Sequence, residues 1–170
     1  MPVDPSTAIL GETRGMAPVA DLQDFHAGLS AMARQAQRFV KIFSQTLSHD
    51  LYDLEGFTSL LSATITDRQK LQVRILIRDT ADIVARGHRI VALHHRLPSY
   101  VAIHRFPDEA LLDREEYVLF DDTGIIKRYP RAEMKGYFEF RTTDAAIKAR
   151  QFDALWERSM PCQDIQAVRV

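Results

Sequence analysis

The feature that most restricts the fold of this chain is the way its apolar residues change period between residues 21 and 106. Asp21 can cap a helix in which Leu22, Phe25, Leu29, Met32 and Ala36 recur in three- and four-residue steps. RFVKIFSQ (38–45) then alternates, with Phe39 and Phe43 around Lys41 on one face and Val40 and Ile42 on the other, as a strand requires. LEGFTSLLSATIT (54–66) returns to helical spacing through Phe57, Leu60, Leu61 and Ile65. The branched run LQVRILIRD (71–79) is a strand whose terminal Asp79 can cap the next element. A helix over 80–97, stopped by Pro98, and a strand YVAIHRF (100–106) complete the alternation. After it come strands EEYVLFDD (115–122) and GIIKRYP (124–130), joined at Asp122-Thr123-Gly124 by a turn short enough for a hairpin. An edge strand over 135–140 follows, then a helix from Thr143 or Asp144 to about Ser159 that buries Ile147, Phe152, Leu155 and Trp156. This order indicates an α/β sandwich with a mixed sheet.

With 170 residues, 46% of them hydrophobic, the chain can bury one substantial core and is too short for two ordinary domains. Residues 1–20, with Pro2, Pro5, Pro18, Gly11 and Gly15, read as a flexible arm, 21–160 as the single domain and 161–170 as a C-terminal tail. A net charge of −1 gives no global basic field for nucleic acid or an anionic membrane. Cys162 is the one cysteine, which excludes an internal disulfide and fits a reducing, cytoplasmic compartment. No stretch approaches the roughly 18 apolar residues of a membrane span, and no basic segment followed by an apolar run opens the chain.

Four of the six histidines fall in GHRIVALHHRLPSYVAIHRF (87–106). On a continuous 80–97 helix, His94 joins the apolar stripe of Ile83, Ile90 and Leu97, while His88 and His95 lie on its edge. Those two stand seven residues apart, about 10 Å along the axis, too far to share a metal ion. The positions three and four after His88 are Val91 and Ala92, so this is no helical zinc motif, and neither a metal nor a cofactor is expected. His94 reads as a half-buried, hydrogen-bonded residue. His88 can bond back to a strand end or hold a ligand.

The strings "LSHDLYDLEGFTSLL", "VRILIRDT", "GHRIVALHHRLPS", "YVLFDDTGIIKR" and "FDALWERS" resemble a bacterial group of phospholipase D-like domains of unassigned activity, which also occur fused to acetyltransferase-type domains. The resemblance runs from about residue 37 to 159 and implies a three-layer α/β/α phospholipase D-like half with a mixed β-sheet. Catalytic members of the wider superfamily use a histidine, a lysine two residues later and an aspartate further on; the imidazole attacks phosphorus, the lysine neutralises the phosphate, and two halves complete one site. Here the histidine and lysine positions fall on Arg114 and Glu116, or on Glu115 and Tyr117, depending on which aspartate is matched. Neither register supplies a nucleophile, and a glutamate in place of the cation would repel a phosphodiester. No residue two after any histidine is a lysine, and no glycine-rich phosphate loop, CxxC pair, GxSxG elbow or HExxH is present. No catalytic residue is therefore expected.

Charge is segregated along the chain. Residues 68–105 hold eight Lys/Arg against two acids, a local +6, and residues 107–122 hold seven acids against Arg114, a local −6. A solvated helix face beside an acidic loop accounts for this, as does self-complementary association of two copies. The reading that follows is a non-catalytic phospholipase D-like module that binds a protein partner or a small anionic ligand, with a homodimer as one arrangement. Its pocket would lie at the carboxyl ends of the first strands, where His49, Asp50, Asp79 and His88 would gather with Arg89 or Arg128 at the rim. The rival is a hydrolase in which His49 or His88 acts as base, oriented by Asp50 or Asp79. A closed histidine cluster would favour the module, and a histidine bonded to a carboxylate in an open cleft the enzyme. Single-strand nucleic-acid binding through Arg74, Arg78 and Arg89 ranks last, because exposed aromatics for base stacking are missing.

Overall fold

In the computed structural model, residues 3–106, 116–128, 136–140 and 143–166 are described. One eight-stranded sheet has the order β1-β7-β6-β5-β2-β3-β4-β8. Its strands are β1 (Gly15–Val19), β2 (Phe39–Ser44), β3 (Gln72–Ile77), β4 (Val101–Arg105), β5 (Glu116–Phe120), β6 (Gly124–Arg128), β7 (Gly136–Phe140) and β8 (Met160–Pro161). The pairs β2–β3 and β3–β4 are parallel, and the others are antiparallel. The helices are α1 (Leu22–Gln35), α2 (His49–Tyr52), α3 (Glu55–Arg68), α4 (Ala81–Arg86), α5 (Arg89–Arg96), α6 (Thr143–Arg158) and α7 (Gln163–Gln166).

The alternation in β2 divides the core as its spacing predicts. Val40 and Ile42 join Val73, Ile75, Leu29, Met32, Leu61 and Ile90 on one face of the sheet. There α1 packs against α3, and α3 against α5. Phe43 turns to the other face with Leu76, Tyr117, Leu119, Ile125 and Phe152 of α6. Lys41 shares that face, its ammonium 2.8 Å from Asp153 of α6 and 3.7 Å from the Phe39 ring centroid, which fixes the helix to the strand. Asp21 caps α1 as expected, accepting the Asp24 amide at 2.8 Å. Gly28 lets α1 approach β7, since a Cβ there would sit 2.1 Å from the Phe138 ring.

Four expectations are corrected. The supposed arm contains β1, paired along its length with β7, and buries Ala8, Ala17 and Val19, so 136–140 is an interior strand instead of an edge. The supposed tail adds β8 to the β4 edge and buries Cys162 and Ile165. The helix over 80–97 is two helices: Gly87, at φ 72°, donates to the Ile83 carbonyl and ends α4, and His88 is extended. On α6, Phe152 is buried, whereas Ile147 is 47% exposed. The hairpin at Asp122-Thr123-Gly124 is present. Residues 107–115, which carry most of the acidic block and both candidate histidine positions, lie outside the described residues, as do 129–135, the end of the expected GIIKRYP strand included.

Candidate functional site

The carboxyl ends of β2, β3 and β4 and the start of antiparallel β5 share one end of the sheet, with Phe43 of β2 opposite Tyr117 of β5. Three polar groups are built there, each by a different local device.

The first is closed. Ser44, the last residue of β2, donates to Glu116, the first of β5, and its hydroxyl accepts the Leu47 amide at 2.9 Å. The second Glu116 oxygen takes Arg128 Nη1 at 3.1 Å. Burial raises the Glu116 pKa, against the Ser44 hydrogen bond and the Arg128 charge. Tyr52 packs edge-on to Phe25 at 5.8 Å, and burial, with Glu116 beside it, pushes its phenol well above the ordinary range. The Tyr52 hydroxyl and Arg128 Nε are buried without a hydrogen-bond partner. At the opposite end of β2, Asp121 is the one of the two hairpin aspartates drawn into the fold: its carboxylate accepts the amides of Gln37, Arg38 and Phe39 at 2.8–3.1 Å. Asp122 forms an exposed ion pair with Arg38. The acidic centre expected from Glu116 is thus corrected to a buried carboxyl compensated by an arginine, with little free negative field to repel a phosphate.

The second group is the histidine pair. His88 caps α5, its Nδ1 accepting the Ile90 amide at 3.1 Å while Nε2 donates to the Leu47 carbonyl at 3.1 Å. Both nitrogens are satisfied only in the neutral form, and the side chain is 0% exposed. Burial lowers its pKa to about 4, with Asp53 opposing and His49 adding to the depression. The His49 ring lies 5.0 Å from that of His88 and donates from Nε2 to the Gly87 carbonyl at 2.7 Å. Asp53 stands 4.0 Å from His88 Nδ1, beyond a hydrogen bond; it accepts instead the Arg89 amide at 2.9 Å and Arg89 Nη1 at 3.3 Å. Burial acts to raise the Asp53 pKa, but the Arg89 amide and neighbouring positive charge hold it below the usual value.

The third group is open. A cleft of about 500 Å³ is lined by Gln45 and Thr46 after β2, Arg78 and Asp79 after β3, and Arg105 at the end of β4. The Gln45 carbonyl accepts the amides of Arg78 and Asp79, which ties two walls together. Asp79 accepts the Ala81 amide at 2.9 Å, the capping expected of it. Arg105 Nη2 bonds Thr80 Oγ1 at 3.0 Å and Asp164 of α7 at 3.1 Å. The hydrogen bond from Thr80 holds the Asp164 carboxyl low.

The six residues expected to gather do so only in part. His49 and His88 touch, Arg89 belongs to Asp53, and Arg128 to Glu116. Asp79 lies in the separate open cleft. Asp50 is exposed, and its carbonyl accepts from His26. No motif or spacing in the sequence sets Ser44, Tyr52, Arg105 or Asp164 apart as a site residue. The acid pattern DLYD (50–53) is the one sequence signal that points to Asp53. Among the described residues no three His, Cys, Asp or Glu side chains converge to hold a metal ion.

A family model described as "Domain of unknown function (DUF7931)" matches residues 21–168. The chain belongs to that family. No curated protein matches this DUF7931 chain in sequence. Among solved structures it is similar to TrmBL2, an archaeal chromatin protein with a novel mode of DNA binding, at TM-score 0.64 and 10% identity over 91% of this chain and 57% of that one. The chain therefore spans little more than half of TrmBL2. It is also similar to Nuc from Salmonella typhimurium, a phospholipase D family member, at TM-score 0.58 and 8% identity over 88% of this chain and 97% of Nuc. NucT from Helicobacter pylori matches at TM-score 0.58 and 10% identity over 88% and 99%. At these identities the likeness shows the fold, which is phospholipase D-like.

Proposed function

We propose that this protein is a non-catalytic phospholipase D-like module that binds a small anion and turns nothing over. The observation that carries the reading is Glu116. It stands at one of the two positions, Glu116 and Tyr117, where the resemblance puts the superfamily's lysine, and it is buried between Ser44 and Arg128. A carboxyl there cannot supply the positive charge that the lysine brings to a phosphate, and both its oxygens are already engaged by Ser44 and Arg128. The histidines support the same reading, because His88 spends both ring nitrogens on backbone groups and its nearest acid is out of hydrogen-bond reach. The hydrolase alternative needs a histidine bonded to a carboxylate in a cleft, and the His49–His88 pair is neither.

The segregated charge of residues 68–105 and 107–122 supports a homodimer, or an oppositely charged protein partner, held by contacts that weaken as salt rises. The setting we propose is a reducing one, the cytoplasm, because Cys162 is the single cysteine and is buried as a free thiol. The deciding experiment incubates the purified chain with bis(p-nitrophenyl) phosphate and examines it by intact-mass spectrometry. No release of nitrophenolate and no added phosphoryl mass are expected; turnover with a phosphorylated histidine would end the proposal.

A further inference from the structure

The open cleft and the closed network meet at the end of β2, where Ser44 belongs to one and Gln45 and Thr46 to the other. The cleft's lining has a chemical pattern. Two guanidiniums stand on neighbouring strands, since Arg105 is in register with Ile77 and Arg78 follows Ile77. Arg78 is exposed, and its side chain has no partner among the described residues. Arg105 is held from one side by Thr80 and Asp164, yet its side chain stays 50% exposed. A guanidinium fixed along one edge keeps its remaining donors aimed and loses less freedom on binding. Gln45 and Thr46 add an amide and a hydroxyl. Asp79, with one oxygen on the Ala81 amide, presents the other as an acceptor. None of the lining residues is aromatic.

We propose that this cleft binds a small phosphomonoester, with Arg78 and Arg105 on the phosphoryl group and Asp79 on a hydroxyl of its carbon frame. The number of acceptors decides between ligands. A phosphomonoester presents three terminal oxygens and nearly two negative charges at pH 7, so both guanidiniums can bond it at once, whereas a phosphodiester or carboxylate presents two such oxygens and one charge. Asp79 repels an anionic oxygen and accepts from a hydroxyl, so it sets the orientation: phosphoryl toward β4, hydroxyl toward Asp79. The volume of about 500 Å³ suits a metabolite-sized ligand. A single-stranded nucleic acid would bring bases with no ring to stack on. Asp164 completes the design, because its carboxylate already neutralises part of Arg105; removing that charge leaves Arg105 to the ligand alone.

The inference rests on the binding reading above and deepens it by naming the ligand class and the place. Isothermal titration calorimetry of the full chain with inorganic phosphate, glycerol 3-phosphate and glycerol tests it. Both phosphates bind, glycerol 3-phosphate the tighter of the two, and glycerol does not. Arg78→Ala, at an exposed side chain without a partner among the described residues, keeps the fold and weakens both phosphates by about tenfold or more. Asp79→Ala narrows the gap between the two phosphates, and Asp164→Asn tightens both. No phosphate binding, or binding unchanged in Arg78→Ala, would overturn the site while leaving the non-catalytic reading standing. Turnover of bis(p-nitrophenyl) phosphate, measured separately, would strike that reading and not the cleft.

Discussion

Arg128 and Arg78 stand at the same end of the sheet and live in opposite physical regimes. The Arg128 side chain is 21% exposed and committed to Glu116, whereas Arg78 is exposed and has no partner among the described residues. A charge taken out of water must be answered from within the protein, so the β5 side is closed by its own pairing. A charge left in water carries no such demand and remains free for a ligand. The largest effect that tests this contrast is Arg128→Ala, which strands the Glu116 carboxyl. We expect a loss of about 3–5 kcal/mol in urea unfolding, with Glu116→Gln costing less and the pair Glu116→Gln/Arg128→Met recovering most of it. A neutral Arg128→Ala would mean that water reaches the network and that the two arginines do not differ.

Acid separates the buried groups from each other. His88 has a folded pKa of about 4 against 6.5, so the native state prefers it neutral. Its contribution is complete above about pH 6.5, is lost as the pH falls toward 4, and levels off below. A shift of that size corresponds to on the order of 3 kcal/mol. Glu116 runs the other way: with its pKa raised above 4.5, it favours the folded state below that value and costs stability as the pH climbs through its folded pKa. Denaturant midpoints measured from pH 7 to 4 should fall, and His88→Asn, which keeps a capping acceptor, should flatten the slope. An unchanged slope in that variant would assign the acid sensitivity elsewhere.

A smaller change sharpens the same point. Asp53→Ala removes the acceptor of the Arg89 amide and should cost about 1 kcal/mol, as lost helix caps do. It also removes the one carboxylate that raises the His88 pKa, so the acid-sensitive range should move to lower pH. Titration of the His88 ring protons by NMR reads this directly, and a shift upward would contradict the electrostatics described for the cluster.

What was legible in the sequence follows from the range of the interactions involved. Period-two and period-3.6 patterns are local, and Phe39, Val40, Ile42 and Phe43 fall on the faces their alternation predicts. The break between α4 and α5 is masked in the sequence because the apolar stripe of Ile83, Ile90 and Leu97 runs in phase across it, and Gly87 is its one local signal. β1 was obscured by Pro18 within it and Pro2 and Pro5 before it; an edge strand tolerates a proline because half its amides face outward. The candidate site was less legible still. Ser44 with Glu116 and Arg105 with Asp164 are separated by dozens of residues, and only the sheet order brings them together. Histidine is a chemically versatile residue type, yet local backbone geometry engages His88 as a cap.

The smallest expected effect carries the most information about function. Arg78→Ala should change unfolding free energy by less than about 0.5 kcal/mol, because a side chain that is exposed and has no partner among the described residues stabilises little. Stability that is untouched while phosphate affinity falls is the signature of a residue kept for a ligand. The reverse pattern belongs to Arg128, whose loss should be felt in folding before it could be felt in binding. If Arg78→Ala proved as damaging as Arg128→Ala, the cleft would be part of the packed interior, and the contrast between the closed and open halves of this sheet end would disappear.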